Sequence, residues 1–82
     1  MAQSDSKIRQ DISIGSNIRR IRKAQGIGQT ELVAMLQLHG TTMTRECLVK
    51  IEGGRQAIKA SQLQAIEETL STTYDELFKP CT

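Results

Sequence analysis

Gln29-Thr30-Glu31-Leu32-Val33-Ala34-Met35-Leu36 and, after seven intervening residues, Thr44-Arg45-Glu46-Cys47-Leu48-Val49-Lys50-Ile51-Glu52-Gly53-Gly54-Arg55 decide the fold of this chain. Each stretch carries apolar residues at helical spacing, so the segment reads as two short helices joined by a turn. Leu32, Val33 and Leu36 share one face of the first. In the second, Leu48 and Ile51 point inward while Arg45, Glu46, Val49 and Lys50 point outward. Glu31 lies early in its helix, where the dipole favours an acid. Thr44 is a good N-cap for the second helix, and Gly53-Gly54 stops it.

The flanking sequence supplies further helices. Ile14, Ile18 and Ile21 recur at i, i+4 and i+7, the mark of one helix face. Ser13 or Ser16 caps that helix, Gly26 ends it, and Arg22 and Lys23 sit near its C-terminus, where cations are favoured. Downstream, Ser61 is the expected cap of a helix whose Leu63, Ile66 and Leu70 point inward. Ser71-Thr72-Thr73 breaks the chain, and Thr73 caps a last short helix with Pro80 beyond its end. The fold class is therefore all-α, with five helices at about 15–25, 29–37, 44–52, 61–70 and 73–78. Residues 1–13 read as a flexible arm, with Ile8 or Ile12 as points of partial ordering. Residues 14–80 form one domain and 81–82 a tail.

With 82 residues the chain holds one domain. Such a domain buries a little over ~60% of its unfolded surface, leaving room for a binding face but little for a deep catalytic cavity. Tyr74 and Phe78 are the only aromatics, so Ile, Leu, Val and Met must build the core. The net charge of +2 says less than its distribution. Residues 1–28 carry six cations against two acids, and residues 56–82 carry two lysines against four acids. A basic front and an acidic back suit a protein that orients towards a polyanion. Cys47 and Cys81 lack the spacing of a zinc site or redox pair. No apolar run approaches the ~20 residues of a membrane span, and the N-terminal residues do not resemble a secretory signal. A reduced, cytoplasmic protein is the expectation.

The order and spacing of these elements resemble the lambda-repressor-like (Xre-type) helix-turn-helix family. The residues that carry the likeness are Ile18-Arg19-Arg20-Ile21-Arg22-Lys23-Ala24-Gln25-Gly26, Gln29-Thr30-Glu31-Leu32, Lys50-Ile51-Glu52-Gly53-Gly54-Arg55 and Tyr74-Asp75-Glu76-Leu77-Phe78. They span about residues 14–78. The connection between the second and third helices, Gln37 to Met43, is longer than the family's usual three or four residues. Leu36-Gln37-Leu38-His39-Gly40 looks like a long-turn branch of the family, in which Leu38 would tuck into the core as an anchor.

The resemblance implies a sequence-specific double-stranded DNA-binding transcriptional regulator, with a repressor as the expected form. Helix 44–52 would enter the major groove, where each base pair shows a distinct pattern of donors, acceptors and methyls. Gln29 and the free N–H groups at the start of helix two would grip a phosphate, with Thr30 assisting, and Thr44 would do the same at helix three. Arg45, Glu46 and Lys50 fall where the family reaches base edges. Arginine can bond guanine bidentately, Glu46 can accept from cytosine, and Val49 can pack on a thymine methyl. Arg55, Lys50 and Arg20 would add phosphate contacts. Arg22 and Glu52 match a structural ion pair of the family. A homodimer on a roughly palindromic operator is implied, with helix five, including Leu77 and Phe78, as its surface.

Blander readings stand beside these. Arg45 and Lys50 can be solvated helix residues, and Glu46 can pair with either. Cys47 is expected to act as a small residue packed towards helix two, and Met35, Met43 and Leu38 to fill core gaps. His39, alone in the turn, has no partner ligands in sequence. The rival function is a protein-interaction module, such as an antitoxin or adaptor, for which an apolar outward face on helix three would speak. No nucleophile–base pair, carboxylate pair, metal cluster or phosphate-binding glycine loop is present, so no enzyme, metal, cofactor or small-molecule ligand is expected.

Overall fold

The computed structural model of the chain describes residues 13–80. Of the expected arm 1–13, residues 1–12, with Ile8 and Ile12, lie outside them, as does the tail with Cys81. Among the described residues there are five helices and no strand: α1 (Ile14–Ala24), α2 (Gln29–Leu38), α3 (Arg45–Glu52), α4 (Ala60–Thr69) and α5 (Tyr74–Leu77). α1 packs against α3 and α5, while α2 packs against α3 and α4. α3 is thereby held between α1 and α2.

The isoleucine and leucine stripes form one core. Ile18, Leu32, Leu36, Leu48, Ile66, Leu70 and Leu77 are almost wholly buried. Ile14, Val33 and Leu63 cover its margin. At roughly 1.5–3 kcal/mol for each fully buried aliphatic side chain, this cluster is the main stabilising term.

Three helix starts follow the hydroxyl caps read from the sequence. Ser13 Oγ accepts the Ser16 N–H (3.2 Å), Thr44 Oγ1 the Cys47 N–H (3.1 Å) and Thr73 Oγ1 the Glu76 N–H (3.2 Å). Each satisfies one donor that the first turn would otherwise leave unpaired. α4 corrects the expectation of a Ser61 cap. It begins one residue earlier, with Lys59 as its extended N-cap residue. Ser61 is exposed inside the first turn, and Gln62 Oε1 accepts the Lys59 N–H at 2.9 Å instead. A glutamine at the third helical position satisfies the cap backbone just as a glutamate does in a capping box.

The long turn also departs from expectation. α2 continues to Leu38 and closes at Gly40, whose φ of +90 lets the Thr41 N–H return to Leu36 O at 2.9 Å. Leu38 then sits two residues, about 200° of helical rotation, beyond the core residue Leu36. Its side chain is 87% exposed and anchors nothing. Met43, at 5%, inserts into the core in its place. Met35 is only half-buried.

Two contacts between α1 and distant segments set the frame. Asn17 is buried, and its Nδ2 donates to Leu77 O (2.7 Å) and Lys79 O (2.9 Å), tying the end of α5 to α1. Gln25 Nε2 donates to Leu70 O at 2.7 Å, beyond the end of α4.

Candidate functional site

The outward face of α3 is polar. Arg45, Glu46 and Lys50 are exposed and Val49 is half-buried. None of the three charged side chains has an oppositely charged partner within 4 Å among the described residues. The alternative in which Glu46 neutralises Arg45 or Lys50 is thus not the arrangement adopted. Cys47, a free thiol, lies half-buried against the core margin, and its Sγ accepts from Gln56 Nε2 at 3.1 Å.

The C-terminal end of α3 is fixed by a buried ion pair. Arg22 Nε donates to Glu52 Oε2 at 2.8 Å, and a second guanidinium nitrogen donates to Glu52 Oε1 at 2.9 Å. The remaining terminal nitrogen donates to Ile27 O at 2.7 Å. Both side chains are nearly inaccessible. The bidentate fork gives orientation as well as attraction, and with each of the three guanidinium nitrogens engaged it meets the condition for burying charge. The bond to Glu52 raises the Arg22 pKa above its ordinary value, outweighing the opposite effect of burial. An arginine guanidinium is in any case charged at every ordinary pH.

Glu52 also holds Gln29. The Gln29 Nε2 donates to Glu52 Oε1 at 3.1 Å, so α1, the start of α2 and the end of α3 meet at one carboxylate. Gln29 occupies the first position of α2, as expected from the sequence, but one amide hydrogen is committed inward. The other remains to donate. α2 has no side-chain cap, since its N-cap residue is Gly28. Thr30 is exposed beside this helix start. Thr44 has its oxygen engaged as the cap of α3, leaving its hydroxyl hydrogen to donate.

Next to this junction lies a groove of about 430 Å³. Arg19 and Lys23 of α1, Gln29, Val49 and Arg55 line it, together with the Arg22–Glu52 pair. Four cations therefore face one carboxylate. Arg55 was expected here; Arg19 and Lys23 were not singled out. The signal for them was available, because Arg19, Arg22 and Lys23 recur at i, i+3 and i+4 and share a face. Arg20, read as a phosphate contact, points elsewhere. It reaches Glu76 Oε1 at 3.3 Å and Glu76 O at 3.2 Å, bracing α1 against α5. This pair is largely exposed and contributes little stability.

Leu77, expected on a dimer surface, is instead wholly buried. Tyr74 and Phe78 flank it and stay accessible, with ring centroids 6.5 Å apart. His39 is exposed in the turn. Among the described residues, no group of three or more potential metal ligands occurs, and no helix is long and apolar enough to cross a membrane. No protein-family model, curated protein or solved structure gives a significant match to the chain.

Proposed function

We propose that this chain is a sequence-specific double-stranded DNA-binding transcriptional regulator, a repressor of the lambda-repressor-like helix-turn-helix kind, with α2 and α3 as its motif. The observation that carries the reading is the Glu52 junction. A single carboxylate ties α1, α2 and the end of α3 together, leaving the face with Arg45, Glu46, Val49 and Lys50 turned outward. A rigid helix with unpaired hydrogen-bonding side chains is what major-groove readout requires. The start of α2 and Arg55 lie alongside as phosphate contacts that set register without carrying sequence information. The outward face is charged rather than apolar, which favours nucleic acid over a protein partner.

One such helix reads only a few base pairs. The regulator acts as a homodimer on a roughly palindromic operator, with half-sites about one helical turn (~34–36 Å) apart. The test is selection from random duplexes, followed by binding of the enriched duplex over a salt series. The expected result is a palindromic motif whose affinity falls linearly with the logarithm of salt concentration. Absence of any enriched motif overturns the proposal.

A further inference from the structure

We infer that α1 is a third DNA-contacting element: Arg19 and Lys23 hold the phosphodiester backbone of the duplex in the groove beside Gln29 and Arg55. The inference rests on the DNA reading above and extends it to a helix that the reading does not require. Three observations carry it. Arg19 and Lys23 are exposed, lie four residues apart on one helix face, and line the same groove as Gln29, Val49 and Arg55. None of Arg19, Lys23 and Arg55 has an acidic partner within 4 Å among the described residues, whereas Arg22 in the same groove is neutralised by Glu52. The groove therefore holds three uncompensated positive charges. It also adjoins the start of α2, whose first N–H groups have no side-chain cap.

The composition of the groove selects the class of ligand. Small-molecule pockets are lined mainly by apolar and aromatic side chains, and here Val49 is the one large apolar residue. Cations arrayed along one helix and a facing loop suit an extended polyanion instead. Val49 belongs to the outward face of α3, so a strand whose bases meet that face is carried past Arg55 and on to Arg19 and Lys23. The contact is with phosphate alone and so adds affinity without preference.

The test uses the duplex enriched by the full chain. Each phosphate contact contributes about 0.9 to the slope of log affinity against log salt. The double variant Arg19→Gln/Lys23→Gln is expected to lower the magnitude of that slope by about 2, with the preferred sequence unchanged. The control Lys59→Gln/Lys79→Gln removes two exposed lysines outside the groove and is expected to leave the slope within about 0.5 of wild type. All four side chains are exposed, so thermal melts should confirm intact folds. An unchanged slope in the groove variant overturns the inference while leaving the DNA reading in place. An equal drop in both variants also overturns it, since the effect is then one of net charge. A wild-type chain that enriches no duplex overturns the underlying reading itself.

Discussion

Gly15 of α1 runs so close to the carbonyl group of Ile51 in α3 that a Cβ at position 15 would overlap its oxygen and stand 2.9 Å from its carbon. The obstacle is backbone, not the end of a flexible side chain. This contact brings α1 against the last turn of α3, where Arg22 and Glu52 then meet.

Gly15→Ala therefore tests the packing through the sign of its effect. Helix propensity alone favours alanine inside a helix by about 0.8–1 kcal/mol. Forcing a methyl group against fixed backbone costs about 1–3 kcal/mol or more. We expect a net loss of about 1–2 kcal/mol, which lowers the melting midpoint by roughly 4–8 °C per kcal/mol in a domain of this size. A raised midpoint would show that the two helices are further apart.

The Arg22–Glu52 pair should behave as a buried pair. Glu52→Ala leaves a buried, charged guanidinium without its partner and should cost about 3–5 kcal/mol in denaturant unfolding. The double variant Arg22→Met/Glu52→Met removes both charges and should recover most of that loss. If the single and double variants are equally destabilised, the guanidinium is better hydrated than its burial indicates.

Much of this frame is legible in the sequence because it is local. The isoleucine stripe of α1, the leucines of α2 and the caps Ser13, Thr44 and Thr73 follow from periodicity and side-chain chemistry within a few residues. The Arg22–Glu52 pair was legible only through the family resemblance. Met43 fills the core as expected, but the outward turn of Leu38 was not legible. It depends on α2 running to Leu38 and on the reversal at Gly40. Lys59 carries no capping side chain, so the start of α4 is set by Gln62. Asn17 reaches the carbonyls of Leu77 and Lys79 across sixty residues of chain, a partnership that no local pattern announces. Arg19 and Lys23 gain their meaning only when Arg55 and Gln29 are brought beside them.

Thr69 offers a stabilising substitution. Its Oγ1 is buried and has no hydrogen-bond partner among the described residues, and an unsatisfied buried hydroxyl costs about 1–3 kcal/mol. Valine keeps the branched shape and removes the polar atom. Thr69→Val should raise stability by about 1 kcal/mol in urea unfolding. A loss of more than about 0.5 kcal/mol would mean that the hydroxyl has a partner after all.

Arg45 is exposed on the outward face of α3 and has no acidic partner among the described residues, so removing it should leave the fold intact. In the proposed function it reads base edges. Arg45→Ala should then cost about 1–3 kcal/mol on the preferred duplex and relax preference at one or two positions. Equal weakening on every sequence would reassign Arg45 to a phosphate.

Leu77 closes the core from α5 and is unavailable to a partner, so any dimer contact made by this helix must come from its flanks. Tyr74 and Phe78 are 43% and 42% exposed, and their ring centroids lie 6.5 Å apart in a tilted pair. Aromatic side chains of this kind dominate the energetics of interfaces. Tyr74→Ser/Phe78→Ser should abolish cooperative occupation of two half-sites while leaving binding to an isolated half-site nearly unchanged. Sedimentation of the protein with one-half-site and two-half-site duplexes measures both. Because the two rings are already more than a third exposed, the melting midpoint should move far less than for a core truncation such as Leu77→Ala, which costs about 2–5 kcal/mol. Unaltered cooperativity in the double variant would place the dimer contact elsewhere than on α5.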